Sequence, residues 1–202
     1  MYPAEITLAK LTPEHAKEFY TMRVLAFSRY YERYGIDSCN PERAKSRVLF
    51  NGFKTDLDSY YAAWLDDALV GGVYVCPPFI VGTRWVLSSL FVDELYRNRG
   101  IARQILRKLE AQSGSDCWQL EVVQEEKHLV DFYASEGYVP NGQSHRAGHS
   151  GSIITMQKGK PRSIFRMPER LKDAKWHSTP KLEVPQCQNT NLCDAPIRAI
   201  ST

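Results

Sequence analysis

The run Leu87-Ser-Ser-Leu-Phe-Val-Asp-Glu-Leu-Tyr-Arg-Asn-Arg-Gly-Ile-Ala102 constrains this chain more than any other segment. Apolar residues up to Val92 predict a buried strand. From Gly100 onward, Ile101, Ile105, Leu106 and Leu109 recur at helical spacing and predict a helix to about Ser113, ended by Gly114. A strand that enters a helix through so short a turn leaves the first helical amides without partners, at the positive end of the helix dipole. Such a junction receives phosphate-like anions. Gly100 has no Cβ to block a ligand's approach to the backbone, and Arg97 and Arg99 add positive charge. Glycines at such junctions also serve helix packing alone, so local features leave both readings open.

The rest of the chain supplies a mixed α/β order. Thr12-Pro13 is a helix start, a hydroxyl cap followed by proline. Ala16, Phe19, Tyr20, Phe27, Tyr30 and Tyr31 carry the helix to about Tyr34, where Gly35 stops it. Asn40-Pro41 predicts a second helix through Val48. Ser59–Leu65 and Leu69–Cys76 read as hairpin strands around Asp66-Asp67-Ala68, and Pro77-Pro78 closes the second. Trp85–Val92 and Cys117–Val123 read as strands, Glu126–Glu136 as a helix ended by Gly137, and Ile153–Gln157 as a last strand. The predicted order is α-α-β-β-β-α-β-α-β, with no repeats. Beyond Lys158 periodicity fades, apart from a short helix predicted near Pro168–Trp176. Six of the eleven prolines follow Val139. We therefore expect one domain over residues 1–157 and a basic extension over 158–202.

Composition excludes some classes. The 202 residues are 43% hydrophobic and 24% charged, as in globular proteins. No window reaches the roughly eighteen uncharged apolar residues that a spanning helix needs. Met1–Glu5 lacks the basic stretch and apolar run of a secretory signal. Five scattered cysteines argue against a disulfide framework, and we expect a cytoplasmic protein. From Lys158 onward nine Lys/Arg face four acids, against seventeen and nineteen before it. That tail reads either as solvated charge or as a contact for RNA or another acidic partner. His177, Cys187 and Cys193 fit no standard zinc spacing, and we expect no metal.

The motifs together resemble the GNAT superfamily of N-acetyltransferases. Leu90-Phe91-Val92 followed by Arg97-Asn98-Arg99-Gly100-Ile101-Ala102 is similar to its acetyl-CoA signature. Leu120-Glu121-Val122 looks like the family's fifth strand. Phe132-Tyr133-Ala-Ser-Glu-Gly137-Tyr138 looks like its later helix end, and Val70-Gly71-Gly72 suits its third strand. The resemblance spans roughly residues 5–157. It implies that the backbone amides of Arg97 through Ala102 hold the pyrophosphate of acetyl-CoA, the co-substrate. It also implies that Leu90, Phe91 and Val92 pair with the pantetheine arm as an added strand would.

By the same resemblance, Tyr133 is the general acid that supports the departing sulfur. An amine acceptor is mostly protonated at neutral pH, so a base must take its proton. Many members carry a glutamate for this on the fourth strand, where this chain has Trp85-Val86-Leu87-Ser88-Ser89. Glu121 is the substitute candidate, with water relayed past Ser88 or Ser89 as the alternative. Further departures are Glu126 and Leu129, where asparagine and alanine are frequent, and Glu94, where proline is usual. The aromatic stretch Phe27–Tyr34 is expected to line the acceptor side. The expected function is transfer of acetyl to a primary amine of a small molecule or protein, by direct attack in a ternary complex. The competing readings are a CoA-binding sensor or scaffold without turnover, and an RNA-linked acceptor recruited by the tail. A monomer or homodimer is expected.

Overall fold

Residues 5–41, 60–78 and 84–160 are described by the computed structural model. The elements are β1 (Thr7–Lys10), α1 (Pro13–Tyr34), β2 (Tyr60–Leu65), β3 (Ala68–Cys76), β4 (Trp85–Val92), α2 (Ile101–Ser113), β5 (Trp118–Val123), α3 (Lys127–Ser135), β6 (Val139–Ala147) and β7 (Gly151–Lys158). The strands form one sheet in the order β1-β2-β3-β4-β5-β7-β6. All neighbours run antiparallel except β4 and β5.

The expected fold class is the observed one, with two strands that hydrophobic patterning does not show. β1 buries Leu8 alone of its four residues. β6 (Val-Pro-Asn-Gly-Gln-Ser-His-Arg-Ala) is nearly all exposed and exists because its backbone pairs with β7 across an irregularity between Pro140 and Ser144. A polar, bulged edge of this kind resists pairing with other chains. His145 therefore sits on a strand, while His149 lies in the turn that follows. The expected helix from Asn40 to Val48 lies almost entirely outside the described residues. So do the tail, the helix near Pro168–Trp176, and His177, Cys187 and Cys193.

The two faces of the sheet are packed separately. On one, Ile101, Ile105, Leu106 and Leu109 of α2 and Tyr133 of α3 meet Leu87, Trp118, Leu120, Val122 and Met156. On the other, Ala16, Phe19, Tyr20, Phe27, Tyr30 and Tyr34 of α1 meet Tyr60, Tyr74, Phe91, Val123 and Ile153. Helix α1 uses Tyr34 in place of the expected Tyr31, which is 39% exposed. Thr12 holds the N-cap position, but its hydroxyl bonds the His15 ring at 3.0 Å and leaves the helix amides uncapped by it. Phe19 fits against Gly72 so closely that a Cβ there would lie 2.1 Å from the ring.

Within β4 the pairing with β3 skips Ser88: Leu87 faces Val75 and Ser89 faces Tyr74. This bulge reverses the alternation, so Leu87 before it and Leu90 and Val92 after it all join the α2–α3 core. Parallel pairing with β5 covers Trp85, Val86 and Leu87 against Trp118, Gln119 and Leu120, and ends at the bulge. A bulge bends its strand and raises the local twist, which accounts for the parting of β4 from β5 at this point.

Two buried carboxylates tie the helices around the gap. Glu136 takes Arg103 Nε at 2.5 Å and Arg107 Nε at 2.9 Å, fixing α2 to the end of α3. Glu126, 5% exposed just before α3, accepts from Arg33 Nη1 and Tyr34 Oη, each at 3.0 Å, and His128 Nδ1 lies 3.4 Å away. Burial pushes the Glu126 carboxyl up, but the bonds from Tyr34 and Arg33 and the charges of Arg29 and His128 outweigh it and hold it below its ordinary value. A depressed carboxyl contributes stability above its unfolded pKa and loses it as pH falls. Replacing Glu126 by Gln keeps the shape and removes the charge. We expect a loss of about 2 kcal/mol at neutral pH in urea denaturation. The gap from wild type should close as pH drops below the unfolded value of about 4.3.

Candidate active site

The parting of β4 and β5 opens a cleft of about 490 Å³. It crosses the sheet: Ala26, Phe27, Arg29 and Tyr30 of α1 line one side, while Ile101, Ala102 and Arg103 of α2 and Phe132 and Tyr133 of α3 line the other. Its walls are Leu87–Val92 of β4 and Glu121–Val123 of β5.

The turn at one end is built from local bonds. Asp93 accepts from the Leu95 amide at 2.9 Å and shapes a short 3-10 turn over Glu94–Tyr96. Arg97 Nε reaches back to the Val92 carbonyl at 3.3 Å, which docks the turn on the end of β4. Asn98 and Gly100 both take left-handed backbone, at φ 61° and 76°. Gly100 is the N-cap of α2, no side chain caps the helix, and the first helical bond runs from the Gln104 amide to the Gly100 carbonyl at 3.1 Å. The amides of Ile101, Ala102 and Arg103 therefore precede the helical ladder, beside the cleft that these residues line. A Cβ on Gly100 would meet nothing within 4 Å, so open space lies where a ligand would approach. The glycine is required by its φ, not by crowding.

Of the residues that the sequence suggests for CoA, Leu90, Phe91, Val92, Arg97, Asn98, Gly100, Ile101 and Ala102 line the cleft. The Arg99 side chain does not. Its Nη2 donates to the Leu95 carbonyl at 3.0 Å and its guanidinium lies 5.3 Å from the Tyr96 ring centre, so it braces the turn from outside.

Tyr133 lines the cleft from α3 at 7% exposure. Among the described residues its hydroxyl has no hydrogen-bond partner. Burial, then the neighbouring Tyr30, pushes its phenol well above the ordinary value, so it remains a proton donor across the working pH range. Tyr30 comes from α1, on the opposite face of the sheet, and lines the same cleft.

Glu121 lies one residue past the last β4–β5 pair, opposite Thr155 of β7. Alternation with Leu120 and Val122 turns it toward α1, where it lines the cleft half-buried. Ser88 lines the cleft at the bulge. Ser89 is 2% exposed and its hydroxyl accepts from Arg23 Nε at 3.2 Å. Glu126 stands outside the cleft lining, saturated with donors, and is a poor base.

Sequence reasoning did not single out His128 and Arg103, which also line the cleft. His128 shares a helical face with Leu129, Phe132 and Tyr133, and that i, i+1, i+4, i+5 pattern was the available signal. Among the described residues no group of three His, Cys, Asp or Glu side chains has metal-binding geometry. No helix among them is long and apolar enough to cross a membrane.

A strand edge without its β5 partner, helix amides outside the ladder at one end and a buried phenol thus line one cleft. Residues 56–140 match the family model described as an acetyltransferase (GNAT) domain. None of the curated proteins matches the sequence. Among solved structures, the PaiA N-acetyltransferase from Thermoplasma acidophilum, in complex with coenzyme A, superposes with a TM-score of 0.58 at 18% identity, covering 76% of this chain and 98% of that one. A histone acetyltransferase HPA2-related acetyltransferase from Corynebacterium glutamicum gives 0.59 at 16% identity, covering 82% and 99%. Arabidopsis thaliana Naa50, in complex with the bisubstrate analogue CoA-Ac-MVNAL, gives 0.55 at 16%, covering 77% and 99%. Residues 56–140 thus carry the match to the GNAT acetyltransferase domain, and the chain shares its fold with solved acetyltransferases.

Proposed function

We propose that this protein transfers an acetyl group from acetyl-CoA to a primary amine of a small molecule or protein, with both substrates bound at once. The observation that supports it best is the cleft itself, with the amides of Ile101–Arg103 outside the helical ladder, the β4 edge from Ser88 to Val92 beyond its last pair with β5, and Tyr133 in the lining, while the Arg97 amide is taken by the Glu94 carbonyl. In this reading the turn amides hold the pyrophosphate. The β4 edge takes the pantetheine amides as a neighbouring strand would.

The reaction needs no covalent enzyme intermediate. The amine nitrogen attacks the thioester carbonyl, a C–N bond forms, the C–S bond breaks, and the bonding pair leaves on sulfur. Tyr133 donates a hydrogen bond to that sulfur as its charge grows. A thiol of pKa about 8.5 is the stronger acid of the pair, so the phenol supports the thiolate mainly as a donor. The proton that the amine must lose goes to Glu121, directly or through water, and restores the balance when CoA leaves as the thiol. Holding both reactants in one cleft supplies much of the rate.

Three outcomes test this reading. Gly100→Asp places a carboxylate where the diphosphate would lie, in open space but at a left-handed φ that strains any side chain, aspartate less than most. Calorimetric titration should show acetyl-CoA affinity falling by about two orders of magnitude, with folding retained. Tyr133→Phe removes only the hydroxyl, and kcat should fall about 10²-fold while KM for acetyl-CoA stays within a few-fold. Glu121→Gln should lower kcat/KM for the amine at neutral pH by about tenfold or more. An unchanged rate would move the proton to water at Ser88. Thiol release across an amine panel separates transfer from sensing, because CoA binding with no turnover is the result that a sensor would give.

A further inference from the structure

The α1 side of the cleft holds a cation that neither the turn nor the proposed chemistry uses. Arg29 lines the cleft and spends one donor on Tyr30, from Nη2 to Oη at 2.9 Å, with its guanidinium 4.9 Å from that ring centre. A guanidinium offers five donors in a rigid fork. Among the described residues no carboxylate comes within ion-pair distance of it. The other guanidiniums of the cleft are committed: Arg103 to Glu136, and Arg97 to the Val92 carbonyl with Glu94 at 3.9 Å. Glu126 acts on Arg29 only through space and is saturated by Arg33, Tyr34 and His128.

Position decides what this fork meets. Arg29 and Tyr30 stand on the face of the sheet opposite α2, whose N-terminus forms the turn proposed for the diphosphate. Glu121 lines the cleft on the same side as Arg29. One acid to meet an amine and one guanidinium to meet an anion, in one cleft, describe a receptor for a molecule carrying both charges.

We infer that Arg29 is a specificity residue that binds a carboxylate on the acceptor, so that the preferred substrates are amines bearing a carboxylate close to the nucleophile. The inference rests on the acetyl-transfer reading and names its substrate class. Planar carboxylate matches the planar fork in a bidentate pair. Two sources offer this chemistry: the α-carboxylate of a free amino acid, and an acidic side chain beside the N-terminal amine of a peptide.

The test compares matched acceptors under acetyl-CoA: amino acids against their amides, and short peptides with aspartate against asparagine at the second residue. Wild type should favour the carboxylate partner in at least one pair by about ten- to hundredfold in kcat/KM. Arg29→Gln should bring that ratio toward one, mainly through KM, and Arg29→Lys should retain part of it. The pair that responds identifies the source. An equal or greater preference for the amides in wild type, or a ratio unchanged in Arg29→Gln, overturns the inference. Acetyl-CoA titration of all three proteins separates the two levels of failure. Turnover of amines without a carboxylate preference removes only the role of Arg29. Absence of CoA binding in wild type removes the acetyl-transfer reading, and this inference with it. CoA binding with no turnover of any carboxylate-bearing amine also counts against it.

Discussion

The site depends on a hydrogen-bond ladder that stops. β4 and β5 are the one parallel pair among the described strands, and they hold together for three residues before the bulge at Ser88 turns β4 away. Each strand keeps its other neighbour beyond that point, β3 on one side and β7 on the other, so the sheet remains whole while its middle opens. Unpaired backbone groups are costly in a protein interior and useful at its surface only if something binds them. Here the open edge, the uncapped helix N-terminus and the phenol of Tyr133 face one cleft, and a single insertion in β4 underlies their meeting.

Keeping such an opening in shape requires bracing, and the two buried glutamates provide it from either end. Glu136 binds α2 to α3 through two arginines, which ties the helix that follows the turn to the helix that carries Tyr133. Glu126 binds the end of α1 to the start of α3 through Arg33, Tyr34 and His128. Removing one partner from such a cluster leaves a buried charge unpaired, which is why these carboxylates are structural despite lying near the chemistry.

Much of this was readable from the residues. The strand Trp85–Val92 and the hairpin before it announce themselves by long apolar runs, and α2 by four apolar residues on one face closed by Gly114. The turn was legible because Gly100 stands where a strand meets a helix. What escaped did so for physical reasons. β6 has almost no buried side chain, so no periodicity marks it; its reason to exist is the neighbour β7. The Ser88 bulge leaves no trace in composition and emerges only from pairing on both sides. Arg99 looked like part of the anion site because it adjoins Gly100, but one residue of backbone rotation sends its side chain to Leu95. Glu126 read as a departure from a family pattern, when its meaning lies in partners ninety positions away in sequence.

Because the cleft lies where β4 and β5 part, helices from both faces of the sheet line it. Tyr30 reaches it from α1 and Tyr133 from α3, helices that Glu126 joins beside it. In the proposed reaction, coenzyme and amine would therefore rest against different layers of the molecule, and residues that select the amine can change without disturbing the coenzyme's seat.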